Sequence, residues 1–499
     1  MAQTKRTYQL IHFFPLLLLL SACSIGPDYV RPAAPVPTQL KGTKGWKTAQ
    51  PTAGELNERW WELYHDPQLN ALEERVAVDN QNLKIAEAQF RQARALVQVA
   101  RAGYYPTATL GANVTRTHPS GRLGGVGTTR GSAAGDSTIY SLPMDLSWEL
   151  DIWGRVRRSV EANSATAQAT AADLAGVRLS IQAELAQAYF QLRAVDAQQL
   201  LLRTTVDYYA KTLQLTRNRY GAGVIAQSDV LQAENQLAFT QAQLLDLGVQ
   251  RAQLENAIAL LIGAAPSEFS LAPAPLDRLP PDIPLMVPSE LLERRPDIAA
   301  AERRMAAANA QIGIAEAAWF PTVKLTASSG FESGGIADWL AWPSRFWSIG
   351  AGLSEIIFNG FLRSAQTDQA RAAYEGTVAG YRQTVLTAFQ EVEDNLAALR
   401  ILADEAKALE VAVRAAQQAV VITTNQYKAG TASYLNVLVS QTAELTSRRN
   451  AVEVHGRLMT ASILLIRALG GGWQLPEPAL AGGTAGTGTA QTLVDRKTD

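Results

Sequence analysis

Cys23 is the only cysteine among 499 residues, so a single copy of the chain can form no internal disulfide. It stands directly behind Leu20-Ser21-Ala22, which close an apolar run from Leu10 to Leu20 that follows Lys5 and Arg6. That run is too short to span a bilayer and has the layout of a secretory signal, residues 1–22, cut before the thiol. The other reactive side chains do not gather. His12 lies in the signal, and His65, His118 and His455 have no ligand-like spacing to each other or to Cys23, so no metal and no cofactor are expected. Glu391, Glu393 and Asp394 crowd one helical stretch, the pattern of a solvated face rather than an acid–base pair, so no enzyme is expected. Gly121 to Gly127 has the glycines of a phosphate loop but lies between two strand patterns, with no helix start to hold a phosphate. A formal charge of -1 argues against nucleic acid as a partner.

The elements that surround these residues are long. From Arg155 to Asn218 there is no proline, and Gly176 is the only glycine; alanine and straight-chain residues fill the stretch. These lose little side-chain entropy in a helix, so one helix of roughly 95 Å is expected at about 1.5 Å per residue. Two heptad seams, Leu185, Leu192, Val206, Leu213, Tyr220 and Ala188, Val195, Leu202, Tyr209, require lengthwise packing against other helices. Upstream, residues 23–66 comprise a Pro, Gly and Thr rich tether to about Thr52 and a segment with Trp60 and Trp61. Asp66-Pro67 reads as a helix start, opening one helix to about Ala102. The period then becomes two. Ala108, Leu110, Ala112 and Val114 share one face of a strand, and Tyr140, Leu142, Met144, Leu146, Trp148 and Leu150 one face of another. After the long helix, Tyr220-Gly221-Ala222-Gly223 breaks the chain, and a second helix runs from about 228 to 262.

The pattern then repeats. Tyr105-Pro106 matches Phe320-Pro321, Gly154 matches Gly360, Tyr220 and Gly223 match Tyr427 and Gly430, and Leu261-Ile262-Gly263 matches Ala468-Leu469-Gly470, at nearly constant spacing. The second copy again alternates, with Val323, Leu325 and Ala327 on one strand face and Trp347, Ile349, Ala351 and Leu353 on another. The chain therefore divides into a first repeat, 67–265, with a hairpin over 105–150 and helices over 155–218 and 228–262; a proline-rich linker, 266–296; a second repeat, 297–470, with a hairpin over 320–357 and helices over 361–427 and 435–469; and a tail, 471–499. The flanking helices line each long one if they stack end to end.

Strands of about ten residues with one apolar face suit an outer-membrane barrel, with Tyr140, Trp148 and Trp347 as interfacial aromatics. Four strands cannot close a barrel, and an open edge in lipid leaves backbone groups unpaired at several kcal/mol each. Closure must be made between chains. Polar inner faces suit a watery lumen, which favours three chains and twelve strands over two chains and a filled barrel of eight.

Cys23-Ser24-Ile25-Gly26-Pro27-Asp28-Tyr29 behind a lipobox-like site, the paired Tyr105-Pro106 and Phe320-Pro321, and the paired breaks at Tyr220 and Tyr427 resemble the outer-membrane factor family. These are TolC-like channels, here of the NodT-type lipoprotein branch that serves RND-type tripartite efflux. The resemblance implies a mainly α protein with a membrane β-barrel: a homotrimer whose long antiparallel helices form a periplasmic α-barrel and whose strands share a twelve-stranded barrel in outer-membrane lipid. It implies lipidation at Cys23, a periplasmic adaptor and inner-membrane pump as partners, and drugs or other small molecules as cargo. The tip at Gly221, Gly223 and Gly430 would open as an iris. Asp229 and Tyr427 fall where relatives link the helix pairs, and Asn436 and Val439 where many carry carboxylates, which makes this a neutral constriction. A duct for type I protein secretion and a non-conducting envelope rod stay open as alternatives.

Overall fold

The computed structural model describes residues 25–37, 40–41, 59–118, 136–276, 278–283 and 293–473. A short 3-10 turn, Trp60–Tyr64, precedes α1 (Pro67–Asp79) and α2 (Gln81–Ala102). Then come β1 (Thr107–Leu110), β2 (Asn113–Thr117), β3 (Ser137–Leu150), α3 (Arg155–Gly221) and α4 (Gln227–Leu261). The second copy gives α5 (Pro296–Ala317), β4 (Thr322–Ser333), β5 (Arg345–Ser354), α6 (Leu362–Lys428) and α7 (Tyr434–Ala468). Both long helices have 67 residues. Of the α3 seams, Leu185, Leu192, Leu202, Tyr209 and Leu213 are buried, whereas Tyr220 is exposed.

Helix contacts run α2–α3–α5–α6 in the half nearer the sheet and α4–α3–α7–α6 in the half nearer the tips. The short helices therefore stack end to end beside the long ones, α2 over α4 and α5 over α7. Both junctions need glycine. Gly263 and Gly470 have φ of 70° and 94°, and an added Cβ would lie 2.4 Å from the Asp79 oxygen and 1.9 Å from the Arg294 oxygen, respectively. At the first junction the Asn80 side chain donates to the Leu261 carbonyl at 2.6 Å and accepts from Leu83 N at 2.9 Å. Asn80 is thus an N-cap, and the single helix expected over 67–102 is broken there.

The strands form one antiparallel sheet in the order β1/β2, β3, β4, β5. The first lane is interrupted between Leu110 and Asn113 without loss of register, since Leu110 faces Met144 and Asn113 faces Ser141. Pro143 lies opposite the gap and has no N–H to give, although its carbonyl accepts from Gly111 N at 2.9 Å. The register puts the apolar positions read from the alternation on one face, Ala108 meeting Leu146, which meets Ala327, which meets Ile349, while Ile139 and Phe346 fall on the other. The other face carries Thr109, Asp145, Ser328 and Ser348 in the same way, with a 2.6 Å bond from Ser328 Oγ to Asp145.

Gly154 is the left-handed residue that starts α3, with φ of 82°. Its structural counterpart is Phe361, φ 67°, which starts α6, and not Gly360 as the sequence match suggests. Gly360 is also left-handed, so the second copy makes this turn with two such residues.

The tether is laid down along the helices rather than free over its described part. Ile25 N donates to the Trp153 carbonyl at 3.2 Å, beside the base of the sheet. Arg158, itself buried, donates to the carbonyls of Ile25 and Gly26 and pairs with Asp28 at 3.0 Å. Farther along, Tyr29 donates to Glu302 at 2.8 Å, Arg31 to the Tyr381 hydroxyl at 3.1 Å, and Lys41 N to Glu393 at 2.5 Å. An equatorial layer joins the remaining segments. Trp60, Trp61 and Tyr64 are buried against the helices, and Tyr64 shares a 2.7 Å hydrogen bond with Ser462 of α7. The first part of the linker is fixed by Asp196, which is buried, pairs with Arg193 and Arg251 at 2.9 and 2.8 Å, and accepts from Ala274 N.

Candidate gate and duct

The two long helices end in matched turns. α3 passes through Gly221 and Gly223 (φ 76°) into α4, and α6 passes through Gly430 (φ 78°) into α7. A left-handed residue is what each reversal requires, and glycine takes that conformation without a Cβ clash. The turns leave two helix hairpins side by side, α3/α4 and α6/α7, packed on a small apolar cluster of Leu213, Val230, Ala233, Tyr427, Tyr434 and Val437.

The expected gate residues occupy different parts of this tip. Asp229 lies half-buried in the first turn of α4, where the helix dipole favours a carboxylate, and its side chain has no bonding partner among the described residues. Tyr427 is buried, edge-on to Tyr434 at 5.7 Å, and its hydroxyl also has no partner. Asp229 and Tyr427, set by the resemblance at linking positions, therefore share no hydrogen bond among the described residues. Burial raises the Tyr434 hydroxyl pKa well above its ordinary value, and neighbouring tyrosines and Asp229 add to the shift. Asn436 and Val439 both lie on exposed positions of α7, three residues apart, while Val437 points into the cluster. Neither carries charge, so the exposed step they form is neutral.

The residue that sequence reasoning missed is Arg219. Its Nη1 donates to the Tyr427 carbonyl at 2.7 Å, and its guanidinium lies 4.5 Å from the Tyr427 ring centroid. Nothing in the local pattern marks this contact, because the two residues are 208 positions apart.

At the opposite end, the described residues leave most of the apolar face of the sheet uncovered, apart from Trp339, whose ring lies 6.0 Å from that of Tyr140. Leu110, Trp347, Ile349 and Leu353 are each more than 70% exposed. Among the described residues, the outer edges of the first lane and of β5 have no strand partner. The register sets Tyr140 and Trp347 toward the rim away from the helices and Trp148 toward the rim nearest them. Cys23 lies outside the described residues, but Ile25 is fixed beside Trp153 at the base of the sheet.

An unsupported apolar sheet with open edges, set on a row of very long helices, defines one sector of an envelope-spanning channel. The chain belongs to the outer membrane efflux protein family, which it matches over residues 72–264 and 287–471, one segment in each repeat. It is 32% identical over 469 residues to the pyoverdine export outer membrane protein OpmQ of Pseudomonas aeruginosa, covering 93% of this chain and 97% of that one. It is 31% identical over 481 residues to the toluene efflux pump outer membrane protein TtgI of Pseudomonas putida, covering 92% and 98%. Its fold superposes on the outer-membrane channel OprN with a TM-score of 0.82 at 31% identity, over 91% of this chain and all of that one. Accordingly it is an outer-membrane efflux protein and not an enzyme.

Proposed function

We propose that three copies of this chain form a passive exit duct for small molecules, anchored by acylated Cys23 in the outer membrane and opened at its periplasmic tips by an adaptor that an inner-membrane pump accompanies. The observation that carries this reading is the pair of open edges. One edge of the sheet is the β1/β2 lane and the other is β5, and the helical row likewise ends in α2/α4 on one side and α6 on the other. Those outer helices expose Phe239, Leu245 and Leu260 on α4 and Ile401, Val411 and Val421 on α6. Neighbouring copies would cover both sets at once, and twelve strands would surround the polar faces of β1 to β5.

The docked tether supports lipidation, since it holds Ile25, two residues after Cys23, beside Trp153 at the base of the sheet, near the inner leaflet. At the far end, Gly221, Gly223 and Gly430 shape the tips, and Asp229, Tyr427, Asn436 and Val439 belong to the constriction. A neutral step at Asn436 and Val439 binds hard divalent cations poorly. The named relatives handle chemically different cargo, pyoverdine for OpmQ and toluene for TtgI, which supports a duct that does not select its substrate. The test is conductance of the purified full-length protein in a planar bilayer. Discrete openings are expected, with little block by magnesium on the periplasmic side; a protein that inserts and never conducts would be an envelope rod.

A further inference from the structure

We propose that Arg219 is a latch within each chain, holding the α3/α4 hairpin against the α6/α7 hairpin and so setting the resting position of the gate. The proposal rests on the reading of the tips as the constriction. Arg219 lies in the last turn of α3, and the carbonyl it reaches, Tyr427 O, lies in the last turn of α6. Two helix C-termini, both carrying partial negative charge and unpaired carbonyls, thus meet side by side, and one guanidinium lies between them. Its planar fork serves two purposes at once. One N–H completes a Tyr427 carbonyl that also accepts from Gly430 N at 3.0 Å, and the plane lies against the buried Tyr427 ring.

Alternative bridges are weaker. Among the described residues, the other side-chain links between the two hairpins are Tyr208 to Thr424 and Arg449 to Gln243, both at 3.5 Å, the limit of a hydrogen bond. Arg217, two residues before Arg219, pairs with Glu234 and so ties α3 to its own hairpin partner α4. The repeat supplies an internal control. The residue matching Arg219 in the second copy is Gln426, and the residue matching Tyr427 is Tyr220, which is exposed. Only the second-copy tyrosine is covered by a guanidinium. Among the described residues the Tyr427 hydroxyl has no hydrogen-bond partner, so the link runs through its carbonyl and ring.

The experiment is single-channel recording of full-length Arg219→Ala, Arg219→Lys and Arg217→Ala proteins. Loss of the latch should raise open probability about tenfold in Arg219→Ala, equivalent to about 1.4 kcal/mol. Arg219→Lys keeps a charge and a donor but not the stacked plane, and should fall between Ala and the parent. Arg217→Ala breaks only a pair inside the α3/α4 hairpin and should gate like the parent; a rise equal to that of Arg219→Ala would overturn the latch. In parallel, Asn436→Cys is treated from the periplasmic side with a charged thiol reagent. If that treatment alters the current while Arg219→Ala gates like the parent, the latch is overturned and the tip constriction stands. If the treatment leaves the current untouched, the tip is not the constriction and both readings fall.

Discussion

Asn80 and Arg295 occupy matched junctions in the two copies and satisfy the same backbone requirement with different chemistry. Asn80 caps α2 and donates to the Leu261 carbonyl at the end of α4, whereas Arg295 donates to the Ala468 carbonyl at 2.9 Å and pairs with Asp297 and Glu391. A buried helix end needs such a partner, and either an amide or a guanidinium supplies it. Glu73 is the exception to this provision. It lies on the core face of α1, fully buried, with both carboxylate oxygens unpartnered, and burial pushes its pKa well above the usual carboxylate range. A raised folded pKa contributes stability that is present at pH below the unfolded value and is lost as pH rises through the folded one. Glu73→Leu should therefore stabilise the protein at neutral pH by about 1 to 3 kcal/mol, since it removes an unpaired buried group. Denaturant unfolding at pH 5 and pH 8 checks this: the gain should be larger at pH 8, and equal stability of parent and variant at both values would refute it. At this scale the sequence was least informative. Arg219 and Glu73 look ordinary in their helical patterns, and their roles arise from neighbours that only the tertiary register supplies.

The elements were far more legible, because each follows from a local rule. Proline-free, alanine-rich stretches become the 67-residue helices, and strict alternation becomes strands whose alternating apolar residues line up on one face of the sheet. Where the elements departed from expectation, a single side chain decided. Asn80 offers its amide as a cap and breaks a helix that hydrophobic period alone would continue. Pro143 removes one ladder donor and divides the first lane at Gly111, and opposite it on β4 Gly330 leaves no room for a Cβ against the Leu142 carbonyl and Pro143 backbone. The docking of residues 25–37 was hidden because an extended proline-rich segment has no period, and its hold comes from distant Arg158, Glu302 and Tyr381. The face assignment gives a direct prediction. Leu142→Arg places a charge toward lipid and should cost roughly 2 to 4 kcal/mol if near the midplane, whereas Ser141→Arg, on the polar face, should be tolerated. Refolding titrations into lipid vesicles measure both, and equal tolerance would mean that the apolar face does not meet lipid.

On the scale of the whole molecule, the duplication explains why the two ends behave so differently. Each copy contributes a hairpin of strands at one end and a hairpin of helices at the other, and within one chain both copies pack into a single sheet and a single helical row. The helical hairpins find partners along their seams, with Arg219 joining them at the tip. Among the described residues the outer lanes, β1/β2 and β5, find a strand partner on one side only, so the chain is a sector that remains incomplete by itself. An open β edge in lipid is costly enough that closure between copies, rather than the anchor at Cys23, should drive assembly. Native mass spectrometry of the purified mature protein in detergent tests that closure most directly. Three copies, each beginning at Cys23 and heavier by its acyl groups, are expected; an unmodified Cys23 would remove the anchor alone, and a monomer or a dimer would contradict the shared barrel.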